Sequence, residues 1–328
     1  MRRFDIFNGD ADGLCALHQL RLAAPADAQL ITGAKRDIAL LARTDLDQAT
    51  AGDIVTVLDI SLDRNRAALD ALLARDVQIT WFDHHFAGAI PAHPRLEAHI
   101  DTAPQVCTSI LVDRHLGGRA RAWAVAAAFG DGLADEARAL AATLSLAEPD
   151  VALLRELGEA LNYNGYGETE ADLAIHPAAL YALMRGTADP LRFAAQAPIV
   201  RTLSAAKRDD LEAAGALAPV HADAHTAVFV LPDAAWSRRV SGTFAHALAT
   251  EAAQRAHAVL TPNAKGGYVV SVRAPRAQAR GALGPLGADV FCREFGGGGR
   301  SGAAGIDDLP AHALDAFVAR FAQAPWTQ

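Results

Sequence analysis

The sequence has 328 residues, 51% of them hydrophobic and 21% charged, and its formal net charge at pH 7 is −8. This composition excludes a disordered chain, and the acidic balance argues against a basic surface that binds long duplex nucleic acid. The three cysteines form no C-x-x-C pair, which predicts reduced thiols. With no signal segment and no apolar run of about 18 residues, we expect a cytoplasmic protein without a membrane segment or an obligate protein partner.

Short β-prone runs alternate with helical patterns in the first part of the chain. The β-prone runs cover residues 4–7, 29–33, 54–58 and 77–82, and apolar residues recur with helical spacing at residues 14–24 and 65–75. This alternation predicts a doubly wound parallel sheet of the α/β class.

The rest of the chain has two different patterns. Residues 104–116 and 121–146 are Ala-rich and helical, with a break at Gly130-Asp131-Gly132, and residues 190–218 predict one long helix. Beyond Pro219, strands and helices are shorter and joined by hairpin-like turns. We therefore expect a first domain at residues 1–189, a helical linker at 190–219 and a smaller α/β domain at 220–328.

Acidic and imidazole side chains stand where three of the β-prone runs end. They are Asp10 and Asp12 after the first run, Asp59 after the third, and Asp83-His84-His85 after the fourth. The carboxyl ends of parallel strands line one crevice, so these side chains are expected to converge. The first two clusters could each simply cap the helix that follows, and the Asp83-His84-His85 triplet alone need not be functional. Their recurrence at successive strand ends favours a common site.

The predicted ligands are those of a hard divalent cation. Asp10 and Asp12 could each face a cation, Asp59 could bridge two cations, and His84 adds one imidazole, a set that suits Mn²⁺ or Mg²⁺. Two such ions about 3.5–4 Å apart would polarise a phosphoryl group and activate water. The sequence therefore predicts phosphoester hydrolysis.

Three further residues complete this predicted site. Asp83 is expected to accept a hydrogen bond from an imidazole N–H and so to orient a ring. His85 is expected to contact the substrate phosphate or to protonate the leaving group. Asp131 is the candidate for the last acidic ligand, and Asp135 is the alternative.

A glycine run near the end of the chain predicts an anion site. Its backbone amides carry no Cβ obstruction, and the following Arg300 presents a guanidinium to phosphate. A flexible turn is the alternative for the run, and a solvated strand-end arginine is the alternative for Arg273. The predicted substrate-binding set is Arg273, Gly297, Gly298, Gly299 and Arg300.

These motifs resemble a known superfamily. Asp10-x-Asp12-Gly13, Asp59, the Asp83-His84-His85 triplet and a late Asp resemble the metal motifs of the DHH phosphoesterases. The run from Phe295 to Arg300 resembles the glycine motif of the substrate-binding domain in the RecJ-like and nanoRNA-degrading branch. The resemblance implies a two-domain, Mn²⁺-dependent hydrolase of nucleotide phosphoesters with its active site in a cleft.

Carried over to this sequence, the resemblance makes Asp10, Asp12, Asp59, His84 and the late Asp metal ligands. The chain departs from the pattern at three positions: Ile6 stands where many members have His, Asn8 where the exonuclease branch has Asp, and Arg300 where the glycine motif commonly ends in His. Asn8 offers one neutral oxygen, so we expect one metal to bind more weakly.

The predicted function is hydrolysis of short oligonucleotides, dinucleotides or nucleoside bisphosphates with two divalent cations, most simply Mn²⁺. An acidic chain with only 6% aromatic residues favours short substrates over long strands. The alternatives are a single-strand exonuclease, a cyclic dinucleotide phosphodiesterase, a polyphosphatase and a catalytically weak nucleotide-binding sensor.

Overall fold

The computed structural model describes residues 1–276 and 286–326. The chain divides into two compact units, Met1–Ala205 and Ala206–Gln328. The strands of the first unit are β1 (Arg3–Asn8), β2 (Gln29–Gly33), β3 (Ile54–Leu58), β4 (Gln78–Asp83) and β5 (Leu96–Ile100). Its helices are α1 (Ala11–Ala23), α2 (Arg66–Ala74), α3 (Thr108–His115), α4 (Arg121–Gly130), α5 (Ala134–Thr143), α6 (Glu148–Gly165), α7 (Pro177–Met184) and α8 (Pro190–Gln196). Helix α9 (Pro198–Gly215) begins in this unit and ends in the second.

The sheet of the first unit is parallel throughout, in the order β2-β1-β3-β4-β5. The predicted parallel α/β sheet is thus confirmed. The strand order reverses between β1 and β3, and at such a switch point the connections leave on opposite faces and open a crevice at the carboxyl ends of the strands. The fold therefore opens this crevice where β1 and β3 end.

Helices cover both faces of this sheet. Ile6, Val57 and Trp81 point to one face and pack with Leu69 and Leu72 of α2. Because side chains alternate along a strand, the intervening residues point to the other face, where α1 packs with α3, α4 and α6. This arrangement is the doubly wound one that the sequence predicted.

One helical segment agrees with the sequence prediction and another differs from it. Residues 121–146 form α4 and α5, which are separated after Gly130, and Gly132 has a positive φ of 80° there. The single long helix predicted at residues 190–218 was wrong: α8 and α9 occupy it instead. Pro198 has no N–H to continue α8 and starts α9 at a position that proline favours.

The second unit contains a six-stranded mixed sheet, in the order β10-β11-β9-β8-β7-β6. Phe291, Phe317, Phe321 and Trp326 form much of its core. A smaller α/β unit was predicted and is observed, while the exact boundaries at 189 and 219 stay a prediction. Its elements are β6 (His221–Ala222), β7 (Thr226–Val230), α10 (Ala235–Glu251), β8 (Ala256–Pro262), β9 (Tyr268–Arg273), α11 (Ala288–Arg293), β10 (Gly298–Arg300), β11 (Ala303–Leu309) and α12 (Leu314–Gln323).

Two simpler predictions concern the cysteines and the membrane. Cys15, Cys107 and Cys292 are all buried and unpaired, as reduced core thiols would be. Within residues 1–276 and 286–326, none of the helices combines the length and apolar character needed to cross a bilayer.

Candidate metal centre

The turn from β1 into α1 places the first two aspartates. Asp10 is the N-cap of α1, and its Oδ1 accepts hydrogen bonds from the backbone N–H groups of Asp12 (3.0 Å) and Gly13 (3.1 Å). A Cβ at Gly13 would lie 2.2 Å from the backbone oxygen of Asn8, so this tight turn requires glycine. Asp10 therefore caps α1 through its Oδ1, as the alternative interpretation of the sequence had it.

Asp12 is held by a different element. It is 1% exposed, and the backbone N–H groups of Thr108 and Ser109 at the start of α3 donate to its Oδ2 and Oδ1, each at 2.7 Å. Each carboxylate oxygen has a second lone pair available. The start of α3 therefore fixes a buried carboxylate that can still bind a cation.

Asp59 follows β3 with a positive φ of 59°, a conformation that few residues other than glycine adopt. Its Oδ1 lies 3.2 Å from Thr108 Oγ1, which donates to it, and 3.4 Å from His84 Nε2. Burial, together with the negative charges of Asp10 and Asp12, raises the pKa of Asp59 well above its usual range. The backbone thus places a carboxylate where negative charge is already concentrated.

His84 joins the separate carboxylates into one cluster. Its Nε2 lies 4.0 Å from Asp12 Oδ2 and 4.0 Å from Asp131 Oδ2, in addition to its contact with Asp59. Burial alone would lower the pKa of His84, but the hydrogen bond to Asp59 and the charges of Asp12 and Asp131 outweigh it and raise this pKa to about 10. Two groups of possible ligands result, Asp59 with His84 and His85, and Asp12 with His84 and Asp131, with ligand atoms within 4.8 Å in each.

Asp83 orients His85 instead of His84. His85 Nδ1 lies 2.7 Å from Asp83 Oδ1, and the Asp83 side chain is fully buried, whereas that of His85 is 47% exposed. A buried carboxylate fixes the ring on one side, so the opposite nitrogen is the one left for a substrate. The geometry agrees with separate roles for the two histidines.

Asp131 and Lys35 form the remaining side of the cluster. Asp131 is the C-cap of α4, and Asp135 lies exposed in the first turn of α5. Burial raises the pKa of Asp131 to about 6, against the attraction of Lys35 and with the repulsion of Asp12 and Asp10. The structure therefore brings Asp131, and not Asp135, to the cluster.

Lys35 is the functional candidate that sequence reasoning missed. Its Nζ lies 2.5 Å from Asp10 Oδ2 and 3.5 Å from Asp131 Oδ1. Burial would lower the pKa of Lys35, but the attraction of Asp10 outweighs it and leaves this pKa well above its usual range. Lys35 comes two residues after the end of β2, so the strand-end argument would have found it had cationic side chains been included.

The cluster around His84 fits one hard divalent cation. Its donors are carboxylate oxygens and one imidazole nitrogen, which bind such ions at about 2.0–2.2 Å. Burial and neighbouring carboxylates raise the pKa values of Asp59 and Asp131, and neighbouring carboxylates raise that of His84 against the effect of burial. A cation would compensate the charge of these carboxylates and displace protons on binding.

A cavity of about 390 Å³ opens onto this cluster. Phe86, which is 73% exposed, and Arg64 line it together with the site residues. A second cavity of about 530 Å³ contains the pair of Arg21 and Asp5, in which the guanidinium already holds both carboxylate oxygens. The candidate metal ligands therefore lie at the smaller cavity.

No protein-family model and no curated protein matches the sequence, but solved structures match the fold. A crystal structure of exonuclease RecJ bound to manganese aligns with 99% of this chain and 91% of its own, at 20% identity and a TM-score of 0.57. RecJ from Thermus thermophilus in complex with Mn²⁺ aligns with 98% of this chain at 22% identity and a TM-score of 0.58. The chain has the RecJ fold.

The likeness to RecJ concerns the fold. The same Thermus protein in complex with Mg²⁺ matches 98% of this chain at 18% identity and a TM-score of 0.55. This chain spans only 51% and 48% of the two Thermus chains. The sequence-based resemblance to RecJ-like DHH proteins is thus confirmed for the fold, while the branch stays a prediction.

The glycine run of this RecJ-like chain lies in the second unit and is part of a sheet. A Cβ at Gly297 would lie 2.2 Å from the backbone oxygen of Gly305, and Gly299 has a φ of 144°. Arg300 pairs with Ala303 of β11, which pairs in turn with Arg273 of β9. Side chains directly opposite in antiparallel strands share a face, so the two arginines flank Ala303 on one face.

Proposed function

We propose that this chain is a divalent-metal-dependent phosphoesterase that hydrolyses short oligonucleotides, dinucleotides or nucleoside bisphosphates. The observation that carries the proposal is the convergence of Asp12, Asp59, Asp131 and His84 from four separate segments. The RecJ structures of the same fold contain manganese or magnesium, which supports a divalent ion. The imidazole among oxygen ligands favours Mn²⁺ over Mg²⁺.

The chain's own residues have distinct roles in the proposed reaction. Asp12, Asp59, His84 and Asp131 would hold the ion, which when bound polarises the phosphoryl group that water attacks. Asp83 holds the His85 ring through Nδ1, and His85 Nε2 is then directed to a phosphate oxygen or to the leaving group. The burial of Asp83 keeps this orientation fixed during turnover.

The lining of the cavity supports a nucleotide as substrate. Phe86 is an exposed aromatic side chain beside the half-exposed His85, and an aromatic face in this position can stack a base. Arg64 adds an exposed guanidinium that can pair with phosphate. The cavity volume of about 390 Å³ is at the small end of the range for ligand sites. This small volume and the acidic net charge of the chain both favour a short substrate.

The proposed anion-binding face of the second unit contains Arg273, whose guanidinium also donates to the backbone oxygens of Val272 and Gly242, and Arg300. Arg273 and Arg300 lie two strands apart across Ala303, a spacing of roughly 10 Å. Arg300 is exposed in β10, and β10 and β11 approach closely because the run is glycine. We assign this face to a terminal phosphate of the substrate, as the sequence predicted for Arg273 and Gly297 to Arg300.

The proposal is tested by incubating the chain with Mn²⁺ and a dinucleotide, and in parallel with a strand of about twenty nucleotides. We expect mononucleotide release that EDTA abolishes, with the dinucleotide hydrolysed faster per bond. Faster digestion of the long strand would favour the exonuclease alternative. Tight binding without any turnover would favour the nucleotide sensor.

Phe86→Ala is expected to raise KM by about 5- to 150-fold and to leave kcat nearly unchanged. Loss of one base–aromatic stack costs about 1–3 kcal/mol of binding, and a contact equal in ground and transition states changes KM alone. Leu183→Ala is the matched control, because Leu183 is 51% exposed on α7 and does not line the cavity. An unchanged KM in steady-state kinetics would remove Phe86 from the substrate site.

A further inference from the structure

Both carboxylate oxygens of Asp10 already have partners. Oδ1 accepts from the backbone N–H groups of Asp12 and Gly13, and Oδ2 faces Lys35 Nζ at 2.5 Å. Asp10 belongs to neither of the two ligand groups that the described residues form, although the sequence suggested it as a ligand. The charge of Asp10 is thus neutralised by the Lys35 ammonium group, at the position where the sequence predicted a divalent metal ion.

The position of Lys35 is fixed from several sides. Its backbone N–H donates to the carbonyl oxygen of Gly165 at 2.7 Å, and its Nζ lies 3.4 Å from Asn162 Oδ1 and 5.5 Å from the centre of the Tyr166 ring. With Asp10 and Asp131, three side-chain oxygens surround the three N–H groups of the ammonium. These contacts are those of a structural cation and not of a mobile surface lysine.

The charges around Asp10 do not suit a second divalent ion. The neighbouring Asn8 is neutral, and its Nδ2 is directed to the backbone oxygen of Lys35 at 3.4 Å. An ion bound by Asp10 would have to displace Lys35 or lie beside its positive charge. The two ligand groups, by contrast, share His84 and do not include Asp10.

We infer that the Lys35 ammonium takes the place of a second divalent cation, so that the centre binds one divalent ion beside a fixed lysine charge. This inference rests on the proposed metal-dependent function and specifies that the centre uses one divalent ion. The two-ion arrangement predicted from the sequence is the competing account. The departure at Asn8 and the presence of Lys35 are then consistent with each other, because a neutral ligand weakens the binding of a second ion and the lysine charge takes its place.

The number of bound ions distinguishes the two accounts. The full chain is equilibrated with MnCl₂, and bound manganese is counted by elemental analysis and examined by electron paramagnetic resonance. We expect one ion per chain, with the spectrum of isolated Mn²⁺ and without exchange coupling between neighbouring ions. Lys35→Ala and Lys35→Gln are expected to bind two ions per chain, because each removes the charge that excludes the second ion.

Lys265→Ala is the matched control, since Lys265 is an exposed lysine paired with Asp308 in the second unit. It should bind one ion like the unsubstituted chain. Two ions in the unsubstituted chain would overturn the inference, and so would a single ion in folded Lys35 variants, with folding checked by circular dichroism. If both Lys35 variants fail to fold, the count for the unsubstituted chain decides. Absence of any bound ion in all proteins would instead overturn the proposed metal-dependent function.

Discussion

Replacing Asp59 by Asn is expected to lower hydrolysis by at least about 10²–10³-fold, even at saturating Mn²⁺, while the fold is retained. The substitution removes a buried ligand charge next to His84, and losing one electrostatic contact to a transition state costs about this much. Asn is preferred to Ala because Asn tolerates the positive φ of 59° at this position. The measurements are the initial rate of mononucleotide release and the manganese affinity.

Asp76→Asn is a closely matched control for this experiment. Asp76 also has a φ of 59°, but its side chain is 54% exposed and pairs with Arg95 at the surface. Its substitution should leave the rate unchanged, since exposed ion pairs contribute little. An undiminished rate for Asp59→Asn in saturating Mn²⁺ would refute the assignment of Asp59 as a ligand.

The same Asp59 variant is expected to be more stable than the original chain when metal is removed. The carboxylate is 2% exposed and faces Asp10 and Asp12, so neutralising it removes repulsion within the folded state. A gain on the order of 1 kcal/mol would raise Tm by about 2–4 °C in a unit of this size. Calorimetry in EDTA measures this gain, and a lower Tm would indicate that Asp59 stabilises the fold.

Asp131→Asn is expected to reduce hydrolysis by about 10²–10³-fold and to weaken manganese binding. The carboxylate of Asp131 lies 4.0 Å from His84 Nε2 and 3.5 Å from Lys35 Nζ, so its charge contacts both cationic groups of the cluster. The measurements are kcat and the manganese affinity by titration calorimetry, at a pH where the original enzyme is fully active.

Asp135→Asn supplies the control for Asp131 because the sequence left both residues open. Asp135 is exposed in the first turn of α5, where its charge favours the helix by about 0.3–1 kcal/mol and contacts no cluster residue among those described. Its substitution should leave kcat unchanged. A large loss for Asp135→Asn with none for Asp131→Asn would transfer the ligand role to Asp135.

The sequence predicted the strand ends well because apolar runs stop there and polar residues follow. Residues 29–33 and 54–58 match β2 and β3, and the parallel order of the strands then brings Asp12, Asp59 and His84 together. Strand β5 was not predicted: Glu97 and His99 alternate with apolar residues on an edge strand, where one side pairs with no other strand of this sheet. The alternation of polar and apolar residues in the sequence is therefore a weak indication of a strand at the edge of a sheet.

Other features depend on contacts that no local pattern contains. Lys35 follows a strand like the acidic residues, but its pairing with Asp10 requires β1 and β2 to be neighbours in the sheet. The glycine run was predicted to bind an anion through its backbone amides, with a flexible turn as the alternative. Part of the run instead forms strand β10, which pairs with β11 so closely that a Cβ at Gly297 would clash with β11. Both outcomes follow from strand partners far away in the sequence.

The convergence of ligands from distant segments also bears on how the protein matures. A nascent chain exposes Asp12 and Asp59 long before Asp131 at the end of α4 has been synthesised, so the complete set of proposed ligands does not exist early in synthesis. The proposed ion would then bind after the first unit has folded, and by mass action it would stabilise only that folded population. Under the proposed function, the supply of the divalent ion would therefore also govern how long the folded chain persists.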